Sequence, residues 1–105
     1  MGGEIPTKTV YEDDLVIAFN DINPQAPVHI VVIPKRHAEN LLEAMDFEDE
    51  LLARMLRVVA DIAMQTGLAE TGFRVISNCG RDARQSVPHL HIHMLGGKKL
   101  PVQMV

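Results

Sequence analysis

The chain has a single cysteine among its 105 residues and no tryptophan. One cysteine cannot form an intramolecular disulfide, so a small secreted scaffold built on disulfides is excluded. The N-terminal residues do not combine a basic stretch with an apolar one, as a secretory signal would. We therefore expect a cytoplasmic protein. The one thiol, Cys79, is interpreted as a small loop residue rather than as a nucleophile.

Long apolar runs and blocks of positive charge are also missing. No stretch approaches the roughly 18 apolar residues that a membrane-spanning helix needs. The net charge is −4, with 10 lysines and arginines against 14 acidic residues, which argues against a surface built for nucleic acid. We predict that the protein binds neither membranes nor nucleic acids. A small phosphorylated ligand is still possible, because backbone amides and imidazoles can hold one phosphate at short range.

The order of apolar and polar residues predicts one α+β domain over residues 1–105. Apolar, β-branched segments predict strands at 16–20, 29–33, 73–77 and 89–95, and a helical spacing of apolar residues predicts one long helix from 47 to about 65. Strands on both sides of one amphipathic helix indicate a helix packed on a mostly antiparallel sheet. A chain of this length has one modest core, so a deep cleft would need a second subunit.

Three of the five histidines alternate near the end of the chain. Alternate side chains of a strand share one face at a spacing of about 7 Å, so His89, His91 and His93 are predicted to point the same way. An isolated strand histidine is usually a hydrogen-bonded structural residue. Three neighbouring imidazoles give no packing gain over valine and are costly to protonate together, so the pattern indicates a functional site.

Metal binding and nucleophilic catalysis are the two chemistries that such a row can supply. Three alternate positions span about 13 Å and cannot easily converge on one ion, although two of them could do so together with His29 or His37. A neutral imidazole, with an ordinary pKa of about 6.5, can act as a nucleophile near pH 7 when an acceptor holds its other ring nitrogen. Ser86 is a candidate proton donor to a leaving amine, although taken alone it is typical of a turn.

Three ordered motifs carry a resemblance to a known family. The segment 85–97, QSVPHLHIHMLGG, closely resembles the signature of the histidine-triad nucleotide-binding proteins, in which three histidines alternate with apolar residues. The segments 19–27, FNDINPQAP, and 29–37, HIVVIPKRH, are similar to two other motifs of that family in the same order. The resemblance covers nearly the whole chain. It implies a HIT-like fold with a five-stranded sheet and one long helix, and a sheet that continues across a homodimer.

The resemblance also implies a role for each matching residue. The middle histidine, His91, would be the nucleophile and would form a transient nucleotidyl-histidine that water then cleaves. His93 would contact the phosphate, and His89 and His29 would orient or tune the nucleophile. The other substrate-binding positions would be Phe19, Asp21 and Ile22 at the nucleoside, with Asp21 accepting from the ribose, and Asn78, Arg84, Gln85 and Ser86 at the phosphate.

These roles predict a hydrolase that cleaves purine nucleoside 5′-monophosphoramidates without a cofactor or metal. A dinucleoside polyphosphate hydrolase is the enzymatic alternative. A non-catalytic nucleotide-binding regulatory protein and a metal-binding module are the two others. A complete triad together with Ser86 and Asn78 is more than nucleotide binding requires, which favours the enzyme.

The chain departs from the family pattern at three places. Members of the family usually have an extra segment before Glu4, often with two cysteines, and zinc-bearing members pair those cysteines with histidines that match His37 and His89. We therefore expect no structural zinc site. Arg84 stands where close relatives often carry glycine, and it would either crowd the phosphate loop or assist it electrostatically. The tail 98–105 lacks a tryptophan found in some relatives, which leaves the leaving-group preference open.

Overall fold

The computed structural model describes residues 9–102, in which five strands form one antiparallel sheet with one long helix packed on it. The strands are β1 (Thr9–Glu12), β2 (Val16–Asn20), β3 (Val28–Pro34), β4 (Phe73–Ile76) and β5 (Ile92–Gly96). Between β3 and β4 lie a 3₁₀ turn (Glu43–Asp46), the long helix α1 (Asp49–Thr66) and the one-turn helix α2 (Leu68–Thr71). The predicted α+β class is confirmed.

The order of strands across the sheet is β1-β2-β3-β5-β4, so β5 lies between β3 and the edge strand β4. Its register with β3 puts Leu95 opposite His29, and puts His93 opposite Val31. Its register with β4 puts His93 opposite Ile76. Directly opposed residues point to the same side of an antiparallel sheet, so one face carries both histidines.

The opposite face of the sheet packs against α1 and forms the core. The buried residues of the helix recur at three- and four-residue steps, as an amphipathic helix requires. They are Leu51, Met55, Val58, Val59, Ile62 and Ala63. The helix ends at Gly67, whose φ of +85° is a left-handed conformation that glycine adopts without a steric penalty. Within the described part of the chain, no helix is long and apolar enough to cross a membrane.

Asp13 ties the hairpin of β1 and β2 to the long helix. Its Oδ1 accepts hydrogen bonds from the backbone amides of Leu15 and Val16 at 2.7 and 2.9 Å. Its Oδ2 accepts from the Tyr11 hydroxyl at 2.6 Å and from Arg54 of α1 at 2.9 Å. Burial opposes its ionisation, but these donors outweigh burial and hold the pKa of Asp13 well below its ordinary value.

The last strand begins three residues later than the alternation of histidines predicts, at Ile92 instead of His89. The amide of Leu90 donates to the carbonyl of Ala38 at 2.7 Å, and the amide of His89 donates to Val87 at 2.8 Å, so the chain bends before it joins the sheet. The prediction of a strand over 89–95 is therefore wrong at its start. Of the three alternating histidines, only His93 lies within β5.

Candidate active site

His91 lies immediately before β5 and is half-buried. Its Nδ1 is 2.7 Å from the backbone carbonyl oxygen of His89. A carbonyl oxygen can only accept, so the ring proton of His91 must be on Nδ1. In the neutral imidazole the lone pair is then on Nε2. The backbone of His89 thus sets the tautomer that attack through Nε2 requires.

A second chain of hydrogen bonds fixes the tautomers of His29 and His93. The backbone amide of Gln25 donates to Nδ1 of His29 at 3.0 Å, so the proton of a neutral His29 ring is on Nε2. That Nε2 lies 2.9 Å from Nδ1 of His93, which must accept. His93 therefore keeps its own proton on Nε2, where it can donate to an anion such as a phosphate oxygen.

Burial keeps these two rings uncharged. It lowers the pKa of His29 from its ordinary value of 6.5, and the negative charge of Asp21 opposes this only in part. Burial also lowers the pKa of His93, and the positive charges that His91 and His29 carry when protonated lower it further. Both His29 and His93 are thus neutral near pH 7, as the hydrogen-bond pattern requires.

The structure brings three of the predicted catalytic histidines into one cluster. The ring centroids of His29 and His93 are 5.1 Å apart, and those of His91 and His93 are 4.8 Å apart in an edge-on arrangement. Oδ2 of Asp21, at the end of β2, lies 3.5 Å from Nε2 of His29. The cluster combines a nitrogen lone pair, an N–H donor and a carboxylate, which is the inventory needed to attack and hold a phosphorylated substrate.

Asp21, His29 and His93 also present ligand atoms within 4.8 Å of one another, as a metal site would. An ion on Nε2 of His29 would leave the ring proton on Nδ1, but the amide N–H of Gln25 already points at Nδ1. The hydrogen-bond pattern therefore fits a proton between the two rings better than it fits a metal ion.

The imidazole of His89 lies in a different contact, contrary to the prediction that all three alternating rings point the same way. Its Nε2 is 3.1 Å from the carbonyl oxygen of Pro34, and its Nδ1 is 3.1 Å from Nδ1 of His37. The bend before β5 turns this ring toward His37. The contact that His89 makes with His91 is through its carbonyl oxygen rather than through its ring.

A cavity of about 640 Å³ opens over β3, β5 and β4 beside the histidine cluster. His29, His93 and Leu95 line it from the sheet, and Asn78 and Arg84 line it from the loop that connects β4 to β5. Asn78 donates from Nδ2 to the carbonyl of Ala83 at 2.7 Å, which leaves its Oδ1 available.

Gln85, expected at the phosphate, is used to hold this loop together. Its Oε1 accepts from the amide of Gly80 at 2.9 Å. Its Nε2 donates to the carbonyl oxygens of Glu39 and Val87. Both N–H groups of the side-chain amide are therefore engaged, and Gln85 positions the loop instead of offering a donor to an anion.

Ser86 lines a second cavity, of about 440 Å³, together with Gln85 and Pro88. This cavity lies beside Glu39 and Arg81 and does not share the histidines of the first. The structure thus separates Ser86 from the cavity that His93 lines.

The residues expected at the nucleoside lie on β2 and on the turn after it. Phe19 is half-buried and opposes Val31, so it shares the face of the sheet that carries His93. Oδ1 of Asp21 accepts from the amide of Asn23 at 2.7 Å, which leaves Oδ2 on the side of the histidines. Ile22 is 70% exposed, which is unusual for a large apolar side chain beside a polar cluster.

The sequence analysis did not identify Gln25 as part of this site. Its contribution is a backbone N–H, so its side-chain type gave no signal. Only its place in a proline-rich turn four residues before His29 could have pointed to it.

Comparison with known proteins identifies the family. The family model of the HIT domain matches residues 2–100. The chain belongs to the HIT family. A purine nucleoside phosphoramidase from Escherichia coli K12 is 47% identical to this HIT protein over 97 residues, which cover 92% of this chain and 82% of the relative. The resemblance inferred from the three motifs is confirmed.

Two solved structures agree with the fold of this HIT protein. A histidine triad protein from Clostridium difficile has a TM-score of 0.89 and 53% identity, and the match covers 95% of this chain and 87% of the other. A HIT family hydrolase from Legionella pneumophila has a TM-score of 0.90 and 40% identity, with 97% and 91% covered. The predicted HIT-like sheet and helix are confirmed.

Proposed function

We propose that this HIT protein hydrolyses purine nucleoside 5′-monophosphoramidates through a covalent intermediate on His91. The observation that carries the proposal is the 2.7 Å contact between Nδ1 of His91 and the carbonyl oxygen of His89, which leaves the lone pair on Nε2. The E. coli relative, named as a purine nucleoside phosphoramidase, supports the substrate class.

The reaction has two displacements at the same phosphorus. Nε2 of His91 attacks the α-phosphorus, the P–N bond breaks, and its electron pair goes to the nitrogen, which takes a proton and leaves as an amine. Water then attacks the phosphorus, the bond to Nε2 breaks, and the nucleoside 5′-monophosphate is released. The Nε2 proton of His93 stabilises the charge on the phosphate oxygens in both steps. Ser86 remains our candidate proton donor, and it would have to reach the amine from the second cavity.

The nucleoside occupies the β2 side of the cluster in this proposal. The exposed side chain of Ile22 and the half-buried ring of Phe19 offer apolar surface to a base. The free Oδ2 of Asp21 accepts from the ribose hydroxyls. Asn78 contacts the phosphate from the loop side of the cavity.

We also propose that the protein acts as a homodimer whose two sheets join at β4. This strand is an edge of the sheet, and an edge strand has unpaired backbone groups that can pair with a second chain. Phe73 and Val75 on β4 are partly exposed, and Leu56 and Met64 of α1 are largely exposed. A second copy would cover these side chains.

A single comparison tests the proposed reaction. The wild-type protein is expected to release AMP and ammonia from adenosine 5′-monophosphoramidate, and His91→Ala is expected to lose about a thousandfold or more in kcat. His37→Ala is the matched control, because His37 is also paired with a histidine but lies outside the cluster. An undiminished rate in His91→Ala would refute the nucleophile assignment. Faster turnover of diadenosine triphosphate than of the amide would favour the alternative, a dinucleoside polyphosphate hydrolase.

A further inference from the structure

Arg84 has a backbone conformation that its side chain does not favour. Its φ is +62°, and it is the one non-glycine residue with a positive φ among residues 9–102. Its amide closes a tight turn by donating to the carbonyl of Arg81 at 2.9 Å. Glycine would adopt this conformation without a steric penalty, so the turn itself does not call for an arginine. An unfavourable residue retained beside a cavity is a reason to ask what its side chain does there.

The guanidinium of Arg84 is available to a ligand. Arg84 lines the cavity together with His29 and His93, and within the described residues it takes part in no ion pair or side-chain hydrogen bond. Asp82 also lines this cavity, but its carboxylate bonds Nε of Arg81 at 3.1 Å. Since His29 and His93 are neutral, Arg84 supplies the positive charge on this side of the site.

The cavity lies on the far side of the histidines from the nucleoside position. Phe19, Asp21 and Ile22 belong to β2 and the turn after it, and none of them lines the cavity. The sheet runs from β2 through β3 and β5 to β4, so a cavity over β5 and β4 begins where the nucleoside position ends. On the proposed function, a substrate whose phosphorus is at His91 therefore extends its leaving group toward Arg84.

We propose that Arg84 makes this HIT protein selective for leaving amines that carry an oxyanion, such as a carboxylate or a phosphonate. The inference rests on the proposed phosphoramidate hydrolysis and names the class of amine within it. A guanidinium presents parallel N–H donors that match such oxyanions in a two-point contact. Ile76 and Leu95, which line the same cavity, offer apolar surface to the carbon atoms between the nitrogen and the oxyanion.

The test compares three adenosine 5′-phosphoramidates that differ only in the amine: glycine, aminomethylphosphonate and glycinamide. The wild-type protein is expected to have a kcat/KM about three- to tenfold higher for the two anionic substrates than for the neutral one. Arg84→Gly should bring these ratios close to one, whereas Arg84→Lys should keep part of the preference. Arg81→Gln is the matched control, because it removes an arginine of the same loop that does not line this cavity, and it should keep the wild-type ratios.

Two results would overturn the proposal. One is an unchanged ratio in Arg84→Gly. The other is an equal loss for all three substrates, which would mean that Arg84 contacts the phosphate that they share. Calorimetric binding of the glycine and glycinamide compounds to His91→Ala, with and without Arg84→Gly, needs no turnover. If the wild-type protein hydrolyses none of the substrates, the proposed function fails while the binding ratio still decides the role of Arg84.

Discussion

The ring of His91 receives its orientation from the backbone of His89, through a 2.7 Å hydrogen bond from Nδ1 to the carbonyl oxygen. In a regular strand that carbonyl would bond to a neighbouring strand instead of to a side chain two residues ahead. Here the backbone bends before β5, since the amide of Leu90 bonds to Ala38 and not to β3. The irregular start of the strand is thus what prepares the nucleophile.

His29 acts through His93 and is expected to be a positioning residue. His29→Ala removes the N–H that bonds Nδ1 of His93, so the tautomer of His93 is no longer fixed, and kcat should fall about 10- to 100-fold. Gln25→Pro should reduce kcat in the same direction, because proline removes the backbone N–H that bonds His29. Steady-state kinetics with adenosine 5′-monophosphoramidate measures both effects.

Gln25→Ala is the matched control for that experiment, because it keeps the backbone N–H and removes only the side chain. It should lose much less kcat than Gln25→Pro. Equal losses in the two variants, with circular dichroism showing that both are folded, would contradict the assigned hydrogen-bond chain.

The lowered pKa values of His29 and His93 predict how stability depends on pH. Burial lowers both values below the ordinary 6.5, so the unfolded chain binds more protons than the folded chain in the window below pH 6.5. Stability is therefore fully present above pH 6.5 and is lost as the pH falls below it. Urea unfolding at pH 7.5 and 5.5 should show a larger loss for the wild-type protein than for His29→Gln. A pH dependence that is identical in the two proteins would contradict this account.

Asp13 is expected to stabilise the fold without taking part in the reaction. Asp13→Ala leaves four donors without their acceptor and should cost about 1–3 kcal/mol in the free energy of unfolding. Arg54→Met should cost less, about 0–1 kcal/mol, because the Arg54 side chain is 36% exposed. Denaturant titration measures both. An Asp13→Ala variant as stable as the wild type would show that the network contributes nothing.

Arg84→Gly should stabilise the protein even though it removes a binding group. A left-handed backbone costs a residue with a Cβ about 1–2 kcal/mol, and the extra freedom of unfolded glycine offsets about 0.5–1 kcal/mol of the gain. The melting temperature should therefore rise by about 2–5 °C. Arg84→Ala, which keeps the Cβ, is the control and should show no such rise. A lower melting temperature for Arg84→Gly than for Arg84→Ala would contradict the strain assigned from the φ of +62°.

Much of the fold could be predicted from local sequence. The bounds of β2, Val16–Asn20, agree with the prediction because the turn residues that follow it mark where the strand ends. The start of α1 differs by two residues, since Phe47 has an extended backbone and the helix begins at Asp49. Strand β1 was not predicted, although Val10 and Tyr11 are residue types that favour strands.

The site was less accessible to prediction because its geometry depends on backbone groups. The alternation of histidines placed all three rings on one face, but the contact of Leu90 with Ala38, far away in sequence, bends the chain and moves the ring of His89 to His37. Gln25 acts through an amide that every residue except proline has. Neither feature leaves a mark in the pattern of side chains.

Mass spectrometry of the intact protein, quenched during turnover of adenosine 5′-monophosphoramidate, tests the central claim most directly. We expect a transient mass increase of one adenylyl group, mapped by peptide fragmentation to His91 and absent from His91→Ala. Steady turnover with the adduct on another residue, or an adduct that persists in His91→Ala, would contradict the assignment of His91 as the nucleophile.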